Sequence, residues 1–289
     1  MARTFFAAQR HVVLPRAAHR GSRRLVLQLG ACAGVLLAAS GVASLTGAGQ
    51  SSSLAGHPAP PLFPVAQTAP LGLELAGVRV RADRLFHAWA VSHPGRDDAA
   101  FSSFALAQLP PPPDATVQAQ ELTELRTLAT QRTKAGMTAA NWLGVYGKNA
   151  VWKRYLQDAV ETVPLTDADR VQALLKTDTR LAQQLTSTSQ NHFARRSPSA
   201  VEPLLRKHAR IQKLSYPSGH AVDVAAELVL LDAVEPGRAF TFRAMADQVD
   251  YSRLYAAAHY RSDLIAGTLL GTLIGDYEVR GLAAVPTAG

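Results

Sequence analysis

Beyond Pro113, apolar residues recur every three or four positions, which is the period of an amphipathic helix. Val117, Leu122, Leu125 and Leu128 form one such face. Alternation with period two, the pattern of a half-buried strand, is rare in this part of the chain. The pattern therefore predicts an all-α domain folded as a compact helical bundle. Its later helices are expected over roughly 219–234, 238–258 and 263–279.

Glycine spacing gives a first indication of how these helices pack. Gly267, Gly271 and Gly275 recur every four residues and so share one face of the last predicted helix. Side chains this small allow a neighbouring helix to approach closely, which predicts tight helix packing at that face. An earlier helical pattern, from about residue 142, is interrupted near Gly144 and Gly147.

The basic charge of the chain is concentrated at its N-terminus. Six arginines precede residue 25, and without them +2 of the net charge of +8 remains, so nucleic-acid binding loses its main support. An uncharged run from Leu25 to Gly49 follows in the order of a secretory signal, and Ser22–Leu27 resembles a twin-arginine export signal. We expect an exported protein, periplasmic or secreted; an uncleaved signal would anchor it in a membrane. The single cysteine, Cys32, excludes a disulfide framework.

Composition divides the chain into five segments. The segment after the signal is rich in Pro and Ser, which is typical of a linker. The segment that follows is ambiguous: Val78, Val80 and Leu85 allow a short strand, whereas Phe101 to Leu106 could be helical. The predicted boundaries are 1–48 for the signal peptide, 49–76 for the linker, 77–108 for an N-terminal extension, 109–280 for the helical domain and 281–289 for a tail.

The run Ser215-Tyr216-Pro217-Ser218-Gly219-His220 stands directly before a predicted helix. A helix start of this kind presents backbone N–H groups, a hydroxyl and an imidazole to one point, where an anion can bind. The alternative interpretation is an ordinary helix N-cap formed by Ser218.

A second group of polar residues, Arg253, His259 and Asp263, lies nearer the C-terminus. His259 and Asp263 are four residues apart, so they can meet on a helix or across its start. A carboxylate beside an imidazole fixes the tautomer and leaves the other ring nitrogen free for nucleophilic attack. The guanidinium of Arg253 can bind phosphate oxygens, whereas Arg261 is expected to face solvent. The alternative is a surface His–Asp pair without a function.

Thirty-one residues separate His220 from the Ser252-Arg253 pair, and five more separate Arg253 from His259. Together the two groups resemble the signature of the type 2 phosphatidic acid phosphatase superfamily, which includes class A bacterial acid phosphatases, lipid phosphatases and vanadium haloperoxidases. Leu109–Pro113 and Gln131–Thr133 are similar to the start of the secreted class A type. The resemblance covers roughly residues 105–278.

This resemblance implies hydrolysis of a phosphate ester through a phosphohistidine. His259 would be the nucleophile, Asp263 would orient it, and His220 would protonate the leaving group. Arg253, Ser218 and the N–H of Gly219 would hold the phosphoryl oxygens. The resemblance implies neither a metal nor another cofactor.

The family's first motif is altered in this chain. In the family it consists of a lysine, six residues and Arg-Pro, whereas here Gln190 and Ser197 occupy the two cationic positions. Arg195 and Arg196 could act as substitute ligands, or they could form an exposed pair without a function.

These observations predict a secreted acid phosphatase-like enzyme that acts on a small phosphomonoester, with activity reduced by Gln190 and Ser197. One alternative is a phosphate-binding pseudoenzyme of the same fold. Another is a membrane-tethered lipid phosphate phosphatase. Neither nucleic acid nor, after signal cleavage, a membrane is an expected partner, and the sequence does not indicate an oligomeric state.

Overall fold

The computed structural model describes residues 60–148, 151–152, 165–206 and 213–283. The expected signal peptide, the linker before residue 60 and the tail from residue 284 lie outside these ranges. The helices are α1 (Val65–Ser92), α2 (Asp98–Ala107), α3 (Ala115–Thr130), α4 (Lys134–Tyr146), α5 (Leu165–Phe193), α6 (Pro198–Val201), α7 (Gly219–Val234), α8 (Ala239–Tyr255) and α9 (Arg261–Ala283). Short 3₁₀ helices lie at Pro203–Arg206 and Pro236–Arg238.

The all-α prediction is confirmed. The described ranges contain no β-strand, and one isolated antiparallel bridge there pairs Arg196 with Leu214. Helices α7, α8 and α9 begin and end close to the positions expected from the sequence. Of the interruption predicted near Gly144 and Gly147, the second position agrees, because α4 ends at Tyr146, whereas Gly144 lies inside this helix. No helix in the described part of the chain is long and apolar enough to cross a membrane.

Helices α7 and α9 approach each other closely at the glycines predicted for that role. A Cβ atom on Gly267 would lie 2.7 Å from the carbonyl oxygen of Ser218, and one on Gly275 would lie 2.8 Å from that of Ala226. Real Cβ atoms do not approach that closely, so a larger residue would push the helices apart. The predicted tight packing is confirmed, and it brings the start of α9 beside the start of α7.

Helix α1 corrects the N-terminal part of the expected domain division. The linker predicted over 49–76 is wrong from Val65 onward, and the ambiguous extension over 77–108 consists of the rest of α1 and of α2. Pro70 lies inside α1, and the proline-rich composition of this segment favours a linker although the chain is helical there. Buried side chains recur along it at helical spacing: Leu71, Leu75, Ala82, Phe86 and Trp89.

Candidate functional site

The start of α7 forms the first part of the candidate site. Ser218 is the N-cap of this helix, and its Oγ accepts a hydrogen bond from the N–H of Ala221 at 3.4 Å. Since that bond uses a lone pair, the hydroxyl proton can still be donated. The N–H of Ser218 donates to the carbonyl oxygen of Asp263 at 2.9 Å, which ties α7 to the first turn of α9. Ser218 is therefore a cap, at a helix end whose dipole favours an anion.

His259 lies in the connection between α8 and α9 and is fully buried. The carbonyl oxygen of Arg253 accepts the N–H groups of Ala258 and His259 at 2.9 and 3.4 Å, and Ala257 adopts a left-handed φ of 53° within this turn. Nδ1 of His259 lies 3.0 Å from the carbonyl oxygen of Ser215. A carbonyl only accepts, so Nδ1 carries the proton and Nε2 the lone pair. Among the described residues nothing hydrogen-bonds to this Nε2.

Asp263 orients His259 less directly than the sequence predicts. Its Oδ2 lies 3.5 Å from Nδ1 of His259 and accepts the N–H of Tyr260 at 2.9 Å. Its Oδ1 accepts a hydrogen bond from Arg195 at 2.7 Å. The carboxylate therefore places negative charge beside the imidazole, while the nearer carbonyl of Ser215 fixes the tautomer.

His220 and Arg253 both contact α4, a helix that the sequence motifs do not connect with the site. Nε2 of His220 lies 3.1 Å from the carbonyl oxygen of Gly144, and Nη2 of Arg253 donates to that of Ala140 at 2.6 Å. A Cβ atom at position 144 would lie 2.7 Å from both terminal nitrogens of Arg253, so a larger residue there would displace the guanidinium. One turn of α4 thus holds a histidine and an arginine from two separate motifs.

The electrostatic environment of these two residues favours an anionic ligand. Burial, and after it the positive charges of Arg253 and Lys148, hold the pKa of His220 well below its usual value. Burial lowers the pKa of Arg253 to about 10, so its guanidinium remains charged at neutral pH. Its hydrogen-bond acceptors are neutral, namely the carbonyl of Ala140 and Oγ of Ser252. The site thus combines a neutral imidazole with a buried cation held by neutral groups.

The altered first motif lies beside the same turn. Nε2 of Gln190 donates to the carbonyl oxygen of Pro217 at 2.9 Å, directly before the N-cap of α7. Ser197 is fully buried, and its Oγ lies 3.5 Å from that of Ser199. Arg196 is exposed and donates to the carbonyl oxygen of Ala200.

Arg195 is buried in a network of ion pairs next to His259. Its guanidinium donates to Asp263 at 2.7 Å and to Glu121 at 2.8 Å, and it lies 3.9 Å from the ring centroid of Tyr260. Two carboxylates balance its charge within the protein. This geometry, like the exposed position of Arg196, disfavours the prediction that either arginine replaces a missing phosphate ligand.

Arg261 does not simply face solvent, as the sequence interpretation expected. It is half-buried and forms ion pairs with Glu124 of α3 and, at 2.6 Å, with Glu74 of α1. These pairs raise the pKa of Arg261 and attach the start of α9 to two other helices.

The two segments that resemble the class A type are attached to the motif residues. The hydroxyl of Tyr216 donates to the carbonyl oxygen of Pro110 at 2.6 Å. Nε of Arg132 donates to the carbonyl oxygen of Tyr255, at the end of α8, at 2.8 Å. Both contacts join the N-terminal half of the domain to the candidate site.

Several residues near the site carry no local sequence signal. Gly144, Glu121 and Lys148 belong to other helices or turns, far along the chain from the motifs they contact. Thr186 could have been found, because it lies one helical turn before Gln190. Its Oγ1 is buried without a hydrogen-bond partner in the described residues, and its Cγ2 would lie 3.5 Å from a Cβ on Gly219.

Within the described ranges, no group of three or more His, Cys, Asp or Glu residues could hold a metal ion.

Residues 176–280 match the family model of the PAP2 superfamily. The matched region contains both groups of candidate site residues and the altered first motif. It begins well after residue 105, where the resemblance of the motifs was expected to start. A comparison with curated proteins found no match. The family match supports phosphatase-type hydrolysis in general, on the all-α fold described above.

Proposed function

We propose that this chain is an acid phosphatase-like phosphomonoester hydrolase that acts through a phosphohistidine on His259. The observation that supports this most strongly is the fully buried Nε2 of His259, which holds a lone pair and has no hydrogen-bond partner in the described part of the chain. An unpaired buried acceptor costs stability, so its presence favours an external atom bound at this position.

In the proposed reaction Nε2 of His259 attacks phosphorus, and the N–P bond forms as the ester P–O bond breaks. Protonated His220 gives its proton to the leaving alkoxide, which departs as the alcohol. Water then attacks the phosphohistidine while His220 accepts a proton from it. The N–P bond breaks, phosphate leaves, and both histidines regain their starting protonation states.

Three groups would hold the phosphoryl oxygens: the guanidinium of Arg253, the hydroxyl of Ser218 and the N–H of Gly219. Arg253 is already fixed by Ala140 and Ser252, so little reorganisation is needed when charge develops in the transition state. The carboxylate of Asp263 would stabilise the positive charge that appears on His259.

The environment of His220 favours activity at acidic pH. A general acid has to be protonated, and a group with a lowered pKa is protonated only in acid. We therefore expect kcat/KM to decrease as the pH rises from about 5 to about 8.

We further propose that the protein is exported, because an arginine-rich start is followed by a long uncharged run.

A second candidate function is phosphate binding without turnover. It is favoured by Gln190 and Ser197, which are neutral where the resembled motif has two cations. Turnover itself separates the two proposals.

The test is hydrolysis of p-nitrophenyl phosphate by the purified full chain between pH 4 and pH 8, with short-chain phosphatidic acid as a second substrate. We expect turnover of the aryl phosphate and its loss in His259→Ala and His259→Asn, with melting temperatures showing that both variants fold. Acid-labile phosphate trapped on the wild type but not on the variants would identify the phosphohistidine. Phosphate binding with no turnover in the wild type would overturn the enzyme proposal in favour of the pseudoenzyme.

A further inference from the structure

Lys148 lies near His220 although it belongs to neither motif. Its Nζ is 2.5 Å from Oδ2 of Asp223, a residue of α7. Asp223 follows His220 by three positions, so the two side chains share one face of that helix. Lys148 in turn follows Gly144, whose carbonyl oxygen contacts His220, by four positions. The contact of His220 with Gly144 and the contact of Asp223 with Lys148 therefore join the same two segments of the chain. Together they place the ammonium group of Lys148 beside His220.

The two partners of this ion pair differ in exposure. The side chain of Lys148 is 43% exposed, whereas that of Asp223 is 3% exposed. The buried carboxylate thus holds the lysine from the protein side, and the ammonium group remains open to solvent. Arg253, by contrast, is almost completely buried. After burial, the charges of Arg253 and Lys148 are the next causes that lower the pKa of His220, which is consistent with both cations lying near the imidazole.

A phosphomonoester near neutral pH carries more negative charge than Arg253 alone can balance. A phosphomonoester carries between one and two negative charges near neutral pH, and a guanidinium carries one positive charge. Arg195 is engaged by two carboxylates, and the guanidinium of Arg196 donates to the carbonyl oxygen of Ala200, outside the helices that carry His220 and Arg253. Lys148 has a single acidic partner in the described ranges and remains accessible from solvent.

We propose that Lys148, positioned by Asp223, is a phosphate ligand that contributes the second positive charge of this site. The inference rests on the proposed function, because it assigns a binding group to the phosphoryl oxygens of that reaction. Arg253 binds from the buried side and Lys148 from the solvent side. Asp223 is a positioning residue that keeps the ammonium group beside His220 when the site is empty.

The experiment compares Lys148→Ala with the double variant Lys148→Ala/Asp223→Asn and with Lys134→Ala, an exposed lysine at the start of α4. We expect Lys148→Ala to lower kcat/KM for p-nitrophenyl phosphate by at least about tenfold, less than for a fully buried donor because water can partly replace the ammonium. Lys134→Ala is expected to match the wild type. If Lys148 is a ligand, the double variant stays as slow as Lys148→Ala. If it only neutralises Asp223, removing both charges restores the wild-type rate and overturns the proposal.

A relocated charge provides a second test. Gln190 lies beside the carbonyl of Pro217, at the turn before α7, so Gln190→Lys brings an ammonium group to the same site from another helix. In the Lys148→Ala background it should restore at least half of the lost rate. No gain there would mean that the site does not need a second cation, and would contradict the proposal.

Binding of inorganic phosphate, measured by titration calorimetry on the same variants, separates this inference from the proposed function. If the wild type does not turn over, the proposed function fails, but weaker phosphate binding in Lys148→Ala still supports the ligand assignment. If the wild type turns over and Lys148→Ala binds and reacts equally well, the assignment fails and the function stands.

Discussion

Two buried arginines lie close to His259, and their surroundings are opposite. Arg253 and Arg195 are each 7% exposed. Arg195 is paired with two carboxylates, Asp263 and Glu121, whereas Arg253 is bonded to a backbone carbonyl and a serine hydroxyl. The charge of Arg195 is therefore balanced within the protein, while Arg253 has no acidic hydrogen-bond partner among the described residues.

The difference indicates how to tell a binding arginine from a structural one. Removing an internally balanced cation leaves its buried carboxylates without a partner, which destabilises the fold. Removing a cation held only by neutral groups relieves a desolvation cost and leaves no buried charge behind. Loss of activity and loss of stability should therefore separate between the two positions.

The largest effect is expected for Arg253→Ala. Loss of a preorganised charged donor to the transferring phosphoryl group should lower kcat/KM by roughly 10³-fold. Its melting temperature should decrease less than that of Arg195→Ala, because the substitution leaves a cavity but no buried carboxylate without its partner. Arg243→Ala, an exposed arginine of the same helix, is the matched control and should leave the rate unchanged. A rate close to that of the wild type in Arg253→Ala would remove the basis of the comparison.

Arg195→Ala should instead act on stability. It leaves Asp263 and Glu121 buried without their shared cation, and the cost of breaking a buried pair in this way is about 3–5 kcal/mol. Arg196→Ala, at the exposed neighbouring position, should stay within about 0.5 kcal/mol of the wild type. Urea denaturation of the three proteins measures both effects. Equal stability of the two variants would show that the network contributes nothing to the fold.

This comparison could not have been made from the sequence. Arg253 was predicted as a ligand from its spacing to His259, and the helices around it from apolar periodicity. Arg195, in contrast, was predicted as a substitute ligand because it stands close in sequence to an altered motif position. Its main partner outside the motifs, Glu121, is 74 residues away along the chain. No local pattern reports a contact of that separation.

The same limit applies to the support of the two histidines. His259 and His220 are each bonded to a backbone carbonyl, of Ser215 and Gly144 respectively. Any residue type supplies a carbonyl, so the side chains at these positions contain no information about the contact. The sequence could therefore predict the tight glycine contacts of α9 and single out the two histidines as candidates, but not the carbonyl groups that hold them in place.

A pH-dependent change in the surroundings of Arg253 sharpens the comparison. Asp250 lies one turn before Arg253 on α8, and burial raises its pKa to about 8. In the unfolded chain this carboxyl titrates near its ordinary value of 3.8. The folded state therefore retains a proton that the unfolded state loses, and stability should decrease as the pH rises from about 4 to about 8. Above that range Arg253 gains a charged carboxylate neighbour and becomes more like Arg195.

The variant Asp250→Asn tests this effect. Because its amide does not titrate, its melting temperature should decrease less than that of the wild type between pH 5 and pH 8. It should also retain more phosphate affinity at pH 9, where the wild type has an ionised Asp250. Identical pH profiles for the two proteins would show that Asp250 is not protonated in the folded state.

The smallest effect is expected for Gln190→Lys in the wild-type background. The amide of Gln190 already contacts the turn before Ser218, so a lysine there adds a cation next to the phosphoryl oxygens. Because Lys148 and Arg253 already supply two charges in our proposal, the gain in kcat/KM should be only about fivefold, or roughly 1 kcal/mol of transition-state stabilisation. Gln183→Lys, an exposed position on the same helix, adds the same charge and should have no effect.

Ser197→Arg is not a useful companion to this variant, although the altered motif suggests it. Ser197 is fully buried, and an arginine there would have to displace packed neighbours, so a loss of stability would obscure any gain in rate. Gln190→Lys alone is therefore the better measurement. A gain of a hundredfold or more would mean that the wild-type site lacks its second cation. Lys148 would then not be a ligand, and Arg253 would be the one side chain that gives the site its positive charge.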